Sequence, residues 1–342
     1  MYLYEKYPMQ KKRVAVVCGS FGSEAAISRK SGEMVFRTLS SDRWESYLIE
    51  YKDQQWIAED ASGNTYTVNK GDFSINTEDR SLSIDVVFNA MHGSPGEDGT
   101  LAGYFQMLNI PQTSCDPYAA ALTFNKRDCL SVLRGQGIPT ARHFELDQGT
   151  PIDPEKILEI VGLPCFVKAN RSGSSFGVYK VHRAEDLISS IEKAFQEDSQ
   201  LIIEEALEGR EVSVGVISWQ GDIRVLPITE IVSQNDFFDY AAKYEGLSEE
   251  ITPAQIPDTW QKQIETVSRK IYQNLGLKGF SRSEFILKDG IPHLLEVNTV
   301  PGLTAESILP QQAQVAEISL SDLFDNALFE ALGIETLTTE IP

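Results

Sequence analysis

Two stretches of the chain gather side chains suited to phosphate and metal chemistry. The first is Val167-Lys168-Ala-Asn-Arg171-Ser-Gly173-Ser174-Ser175-Phe-Gly177-Val178. A lysine at a strand end, a loop of small hydroxyl residues and glycines, and a second strand form a hairpin that can lay backbone N–H groups over polyphosphate oxygens. Lys168 supplies the point charge. The order strand-loop-strand and the absence of GxxxxGK[ST] separate this loop from a Walker A motif. The second stretch is Ser283-Glu284-Phe-Ile-Leu followed by Leu295-Glu296-Val-Asn298. Alternation puts Glu296 and Asn298 on one strand face, and a hairpin around Asp289-Gly290 brings Glu284 to the same side. Acids facing inward on apolar strands are costly unless a cation neutralises them, and an all-oxygen donor set suits Mg²⁺.

Three neighbouring features extend this chemistry. Arg282 and the run Pro301-Gly302-Leu-Thr304 offer a fixed guanidinium and a glycine N–H, a pair able to stabilise an oxyanion on a reacting carbonyl. Lys243, in Phe237-Phe-Asp-Tyr240-Ala-Ala-Lys243-Tyr244-Glu-Gly246, sits among aromatics as in a mobile lid, although a plain surface loop is the simpler reading of that stretch alone. Ile202-Ile-Glu204-Glu205-Ala206-Leu207 ends a buried strand and runs through Gly209 to Glu211. Such a linker can present backbone groups to a purine edge and a carboxylate to a ribose.

Positioning these residues requires three units. Val14–Cys18 reads as a buried strand, Gly19-Ser-Phe-Gly22 as a turn, and Ser23 to Leu39 as a helix; Ile84–Phe88 is a second strand leading into the loop from His92 to Gly99. Two strands ending in glycine-rich turns predict a parallel α/β unit with ligand loops at the strand ends, over residues 1–122, with an antiparallel decoration around Trp56 and Thr65. Residues 123–210 alternate short strands and helices in a compact α+β unit. Residues 211–342 predict a mainly antiparallel sheet from Val212–Trp219, Ile223–Ile231, Phe280–Leu287 and Ile291–Val297, covered by a helix from Pro257 to Leu275. Residues 303–342 carry seven acids and no Lys or Arg, and read as a largely solvated acidic tail.

The composition limits the partners. The chain has 342 residues, 42% hydrophobic, and a net charge of −20, enough apolar content for real cores and too acidic a balance for a surface that tracks nucleic acid. No apolar run approaches the ~20 residues of a membrane span, and Met1 to Arg13 is too polar for a signal peptide, so a cytoplasmic, membrane-free protein is expected. Cys18, Cys115, Cys129 and Cys165 are far apart and form no CxxC pair, which predicts buried reduced thiols.

Taken together, the chain resembles ATP-grasp ligases, and specifically the D-alanine–D-alanine ligase family, over nearly its whole length. The resemblance is carried by His92-Gly-Ser-Pro-Gly-Glu-Asp-Gly-Thr100, Phe124-Asn-Lys126, the Lys168 to Gly177 loop, Asp239-Tyr-Ala-Ala-Lys243-Tyr244, and Leu295-Glu-Val-Asn298-Thr-Val-Pro-Gly302-Leu-Thr-Ala-Glu-Ser307. It implies a parallel α/β N-terminal domain followed by two α+β domains that hold ATP between antiparallel sheets. By the same resemblance Lys126, Lys168 and Ser175 meet phosphates, Glu204, Glu205, Ala206 and Leu207 the adenine, and Glu211 the ribose. Lys243 holds the γ-phosphate from the lid, and Glu284, Glu296 and Asn298 bind two Mg²⁺ ions, with Mn²⁺ as a substitute. Arg282 and the Gly302 N–H face the oxyanion, Ser307 takes the second substrate's carboxylate, and His92 lies near the first D-alanine. The implied reaction makes a D-alanyl phosphate, then D-Ala-D-Ala for peptidoglycan, in a homodimer. Related ligases that use D-lactate or D-serine, and a non-catalytic ATP-binding module, are the alternatives.

One departure stands out. The family's acid that meets the first ammonium, together with the loop Ser174 and lid Tyr244, aligns with Ala26, so Glu24 or Glu97 is expected to compensate.

Overall fold

Val14, Ala15, Val16, Val17 and Cys18 are all fully buried, as befits a strand covered on both faces. They form β1 (Lys12–Gly19) of a computed structural model that describes residues 11–21, 24–52, 54–233 and 248–334. After α1 (Ala25–Thr38), β2 (Trp44–Lys52) pairs in parallel with β1; β3 (Gln55–Glu59), β4 (Thr65–Val68), β5 (Ile75–Asn76) and β6 (Ser81–Leu82) continue outward as an antiparallel meander. The chain then crosses over, and β7 (Val86–Asn89) joins the other side of β1 in parallel. The order β6-β5-β4-β3-β2-β1-β7 places a topological switch point between β1 and β7, where open α/β sheets bind their ligands. The loops after Gly19 and Asn89 meet there.

α2 (Thr100–Met107) is followed by α3 (Pro117–Phe124) and α4 (Lys126–Gly135), joined by one residue. Asn125 ends α3 and caps α4, its side chain accepting from Asp128 N–H, so the turn presents Lys126 at a fixed place. β8 (His143–Asp147), α5 (Pro154–Val161), β9 (Cys165–Ala169), β10 (Val178–Val181), α6 (Leu187–Ala194) and β11 (Gln200–Glu205) build a four-stranded antiparallel sheet, β10-β9-β11-β8. Leu146, Ile157, Val167, Leu187, Ile191 and Ile203 form its core.

The last sheet has the order β15-β14-β12-β16-β17. It comprises β12 (Arg210–Trp219), with β13 (Asp222–Val225) folded back on it, β14 (Thr229–Ser233), β15 (Ser248–Ile251) and, beyond α7 (Asp258–Asn274), β16 (Phe280–Lys288) and β17 (Ile291–Asn298). The strand expected over Ile223–Ile231 is therefore two strands, interrupted near Pro227, a residue that cannot donate to a ladder. Ala119, Cys129, Leu130 and Leu133 of α3 and α4 share one core with Val212, Ile264 and Phe285.

The expectation of a solvated tail is wrong. Residues 308–331 form α8 (Ile308–Val315) and α9 (Leu320–Ala331), whose Leu309, Ala313, Leu323, Phe324, Ala327 and Leu328 pack against Val14, Val16, Leu48 and Phe88 of the first sheet. The acids lie between apolar positions spaced three and four apart, the mark of an amphipathic helix. All four cysteines are buried and unpaired, as expected.

Candidate active site

The β16–β17 hairpin turns through Asp289 (φ 52°) and Gly290 (φ 78°), with Lys288 opposite Ile291. Positive φ at both central residues is the type I′ geometry that matches strand twist, and Asp-Gly suits it. From this turn the register pairs Phe285 with Leu294, then slips by one residue at a bulge, so that Glu284 faces Glu296 and Arg282 faces Asn298. All four side chains therefore share one face. Glu284 is 4% exposed; its Oε1 lies 2.8 Å from Arg282 Nη2 yet makes no hydrogen bond, and Arg282 Nε and Asn298 Nδ2 are likewise buried without partners. Two opposed carboxylates, an amide and unsatisfied polar atoms in one cluster fit a hard divalent cation and anionic oxygens.

Two lysines reach the same region. Lys126 Nζ donates to Ser172 O at 2.7 Å and pairs with Glu296 at 3.1 Å. Lys168, on β9 opposite Ile202, pairs diagonally with Glu204 two residues along β11, at 2.7 Å. Burial works to lower the Lys168 pKa, but the Glu204 carboxylate, helped by Glu296 and Glu211, outweighs it, and the net shift is upward. Lys168 therefore stays charged. In the linker, Arg142 Nε and Nη2 donate to the Glu205 carboxylate at 2.9 and 2.8 Å, while Glu205 and Ala206 spend their N–H groups on Arg142 O and Pro164 O. Glu205 thus braces the linker from outside.

The loop between β9 and β10 holds Ser174 (φ 50°) and Ser175 (φ 60°) in the left-handed region, followed by Gly177 (φ 68°). Left-handed backbone at a non-glycine residue costs ~1–2 kcal/mol, and it persists where the surroundings fix it for a purpose. Ser174 Oγ donates to Glu24 Oε1 at 2.9 Å. A Cβ at Gly173 would lie 2.5 Å from Glu24 Oε1, and one at Gly93 2.7 Å from Oε2, so a side chain at either position would push this carboxylate from its place. Glu24 therefore occupies the junction of three loops. Ala26 is exposed, one position into α1. Of the two acids expected to stand in for one at Ala26, Glu24, at the helix N-cap, is the one that bonds Ser174.

His92 is buried, with Nδ1 2.7 Å from Val300 O and Nε2 2.8 Å from Ser31 Oγ, so both ring nitrogens are engaged within the protein. Desolvation first, and the Arg282 charge second, push its pKa down to about 4, so the ring is neutral near pH 7. Glu97 is buried beside it, accepting from Gly93 N–H at 2.7 Å and Val300 N–H at 3.3 Å; burial and the Glu24 charge raise its pKa. Gly302 sits against Ser307, whose Oγ would be 2.8 Å from a Cβ there and which is hydrogen-bonded to Thr304 at 2.8 Å. Glu97, Lys126, Gly173, Glu296 and Asn298 line one small, partly open cavity. Lys243 and Tyr244 lie outside the described residues. The sequence reading passed over Ser31, a serine within an amphipathic helix, and Gly93 and Gly173 as partners of Glu24; Gly-rich loops at strand ends were the only signal for the last two.

Known proteins match this chain over nearly its whole length. Residues 13–115 match the family described as D-ala D-ala ligase N-terminus and residues 132–329 that described as D-ala D-ala ligase C-terminus. A D-alanine–D-alanine ligase from Flavobacterium johnsoniae is 50% identical over 93% of this chain and 98% of its own. The crystal structure of D-alanyl-alanine synthetase A from Vibrio cholerae superposes with a TM-score of 0.85 at 27% identity, covering 95% of this chain and 99% of that one. A D-alanine–D-alanine ligase from Bacillus anthracis complexed with ATP has a TM-score of 0.75 at 27% identity, over 94% and 97%. With the donor hairpin, the two paired lysines and the Glu24 junction in place, and matches over both halves, the chain belongs to the D-alanine–D-alanine ligase family of ATP-grasp fold.

Proposed function

We propose that this protein joins two D-alanines at the expense of ATP, forming D-Ala-D-Ala, ADP and phosphate. The observation that carries the reading is the convergence of Arg282, Glu284, Glu296 and Asn298 on one strand face, flanked by Lys126 and bordering the cavity that reaches Glu97. In the first step the carboxylate of one D-alanine attacks the γ-phosphate, giving an acyl phosphate and ADP. In the second the amine of the other D-alanine attacks the acyl carbon, phosphate leaves, and the amine proton is lost.

The residues divide this work by charge. Glu24, steadied by Ser174, receives the first substrate's ammonium at the switch point of the first sheet. Lys126 and Lys168 exchange their carboxylate partners for phosphate oxygens, with Ser175 and its loop N–H groups over the chain of phosphates. Glu204 and Leu207 face the adenine, Leu207 offering the linker's N–H since those of Glu205 and Ala206 are spent, and Glu211 holds the ribose. Glu284, Glu296 and Asn298 hold Mg²⁺, or Mn²⁺ in its place, which neutralises phosphate charge when bound. Arg282 and the Gly302 N–H stabilise the oxyanion of the second step. Ser307 takes the second carboxylate and Lys243 the γ-phosphate, with water kept from the acyl phosphate, which it would otherwise hydrolyse. The protein works as a cytoplasmic homodimer; among the described residues no helix is long and apolar enough to cross a membrane.

Purified protein with ATP, Mg²⁺ and D-alanine is expected to release phosphate and D-Ala-D-Ala in equal amounts, to stop with EDTA, and to lose more than 100-fold activity in Glu284→Gln. Nucleotide binding without D-alanine-dependent turnover would refute the reading. Preference for added D-serine or D-lactate would reassign the second substrate.

A further inference from the structure

The Gly302 segment is tied to the N-terminal unit on both sides of the glycine. Leu303 N–H donates to Ser31 Oγ at 3.2 Å; Ser31 Oγ lies 2.8 Å from His92 Nε2; His92 Nδ1 lies 2.7 Å from Val300 O; and Val300 N–H donates to Glu97 Oε1 at 3.3 Å. A carbonyl oxygen can only accept, so Nδ1 carries the ring proton. Nε2 then accepts the Ser31 O–H, and a lone pair of Ser31 Oγ remains for Leu303 N–H. The donors and acceptors close without conflict. Ser31 is 0%, His92 5%, Val300 5% and Leu303 1% exposed, whereas Gly302 between them is only partly covered. Both backbone groups of Val300 and the N–H of Leu303 are thus gripped by side chains more than 200 residues away in sequence. Pro301 between them has a fixed φ, which leaves the Gly302 N–H little freedom.

We propose that Ser31, His92 and Glu97 form a clamp through which the N-terminal unit sets the direction of the Gly302 N–H, acting as positioning residues for the second chemical step. The inference rests on the ligase reading for its chemical consequence. The same loop that carries His92 and Glu97 also packs Gly93 against Glu24, so the element that seats the first substrate aligns the donor aimed at that substrate's carbonyl. A donor displaced by about 1 Å loses much of its value, on the order of 10²-fold in rate. The acyl phosphate then waits longer for the amine and is lost to water.

Ser31→Ala removes both hydroxyl bonds with a residue that favours helix; His92→Asn keeps a donor toward Val300 and gives up Ser31. In Ser31→Ala, kcat for dipeptide is expected to fall about 10–100-fold with the KM for ATP within about twofold, and released phosphate to exceed dipeptide. His92→Asn is expected to shift the same ratio by less. Hydrogen exchange in a peptide covering residues 299–304 is expected to rise at least about tenfold in Ser31→Ala, with β16 unchanged. Equal phosphate and dipeptide at wild-type kcat, or unchanged exchange at 299–304, would overturn the clamp. A wild-type protein that makes no dipeptide would sink the ligase reading instead, and the exchange difference would still decide the clamp.

Discussion

Glu24 touches the chemistry of three loops, and this contact makes it the residue most exposed to a decisive substitution. Its carboxylate accepts from Ser174 and is walled by two glycines, Gly93 and Gly173. Removing the charge in Glu24→Gln leaves the Ser174 bond possible but discards the ion pair with a bound ammonium. The KM for the first D-alanine should rise at least about tenfold, consistent with the ~1.5–3 kcal/mol of a charge-assisted bond. Ala26→Glu, by contrast, adds an acid to an exposed helical position and should leave that KM unchanged; steady-state kinetics of the two variants compares the positions directly. His92 yields a second test. An unfolded histidine binds its proton near pH 6.5, while the folded ring waits until about 4, so between those values the unfolded chain holds more protons and stability drops as pH falls. The full window is worth at most about 3 kcal/mol. The stability advantage of wild type over His92→Asn, from urea midpoints, should therefore shrink between pH 7 and pH 5; a constant difference would mean that the ring is not held neutral.

Among the elements, legibility followed the range of the forces involved. The β16–β17 hairpin was readable because turn type, alternation and buried charge are local, and Asp289-Gly290 fixes the register from Lys288–Ile291 to Phe285–Leu294. The bulge at Leu295 was not, since alternation alone leaves a one-residue slip invisible. β2, WESYLIEYK, escaped notice because Glu45 and Glu50 interrupt its apolar run; Tyr47, Leu48 and Ile49 are buried while Glu45 and Glu50 are engaged by Arg13 and Arg29. The clamp around Gly302 was beyond reach, because nothing near Ser31 or His92 in sequence records partners more than 200 residues away. The choice between Glu24 and Glu97 as the acid replacing one at Ala26 was open for a related reason: motif alignment counts positions, whereas the helix places Glu24 toward Ser174 and turns Ala26 to solvent.

At the scale of the molecule, the acidic C-terminal segment closes the structure rather than trailing from it. One apolar cluster runs from Val14, Val35 and Phe88 of the N-terminal unit to Leu309, Phe324 and Leu328 of α8 and α9, so the chain's two ends share a core. Asp325 is the polar pin in that contact. It is 2% exposed, accepts from Trp44 Nε1 at 2.7 Å, and pairs with Arg43; burial raises its pKa, and the two donors offset that shift only in part. The net charge of −20 is therefore no simple count of solvated acids, since this one is spent on joining β2 to α9. Asp325→Ala would leave the buried Trp44 N–H without an acceptor and cost about 2 kcal/mol, whereas Asp325→Asn keeps an acceptor and should cost about half as much. The Arg43 pair adds little, because Arg43 is 47% exposed. Denaturant midpoints at pH 7 measure both variants, and the clamp residues lie elsewhere in the same contact between the chain's two ends, so turnover per folded molecule should be retained. If Asp325→Ala matches wild type in stability, the apolar cluster alone holds the two ends together, and the acid is incidental to the closure that brings Gly302 to the His92 loop.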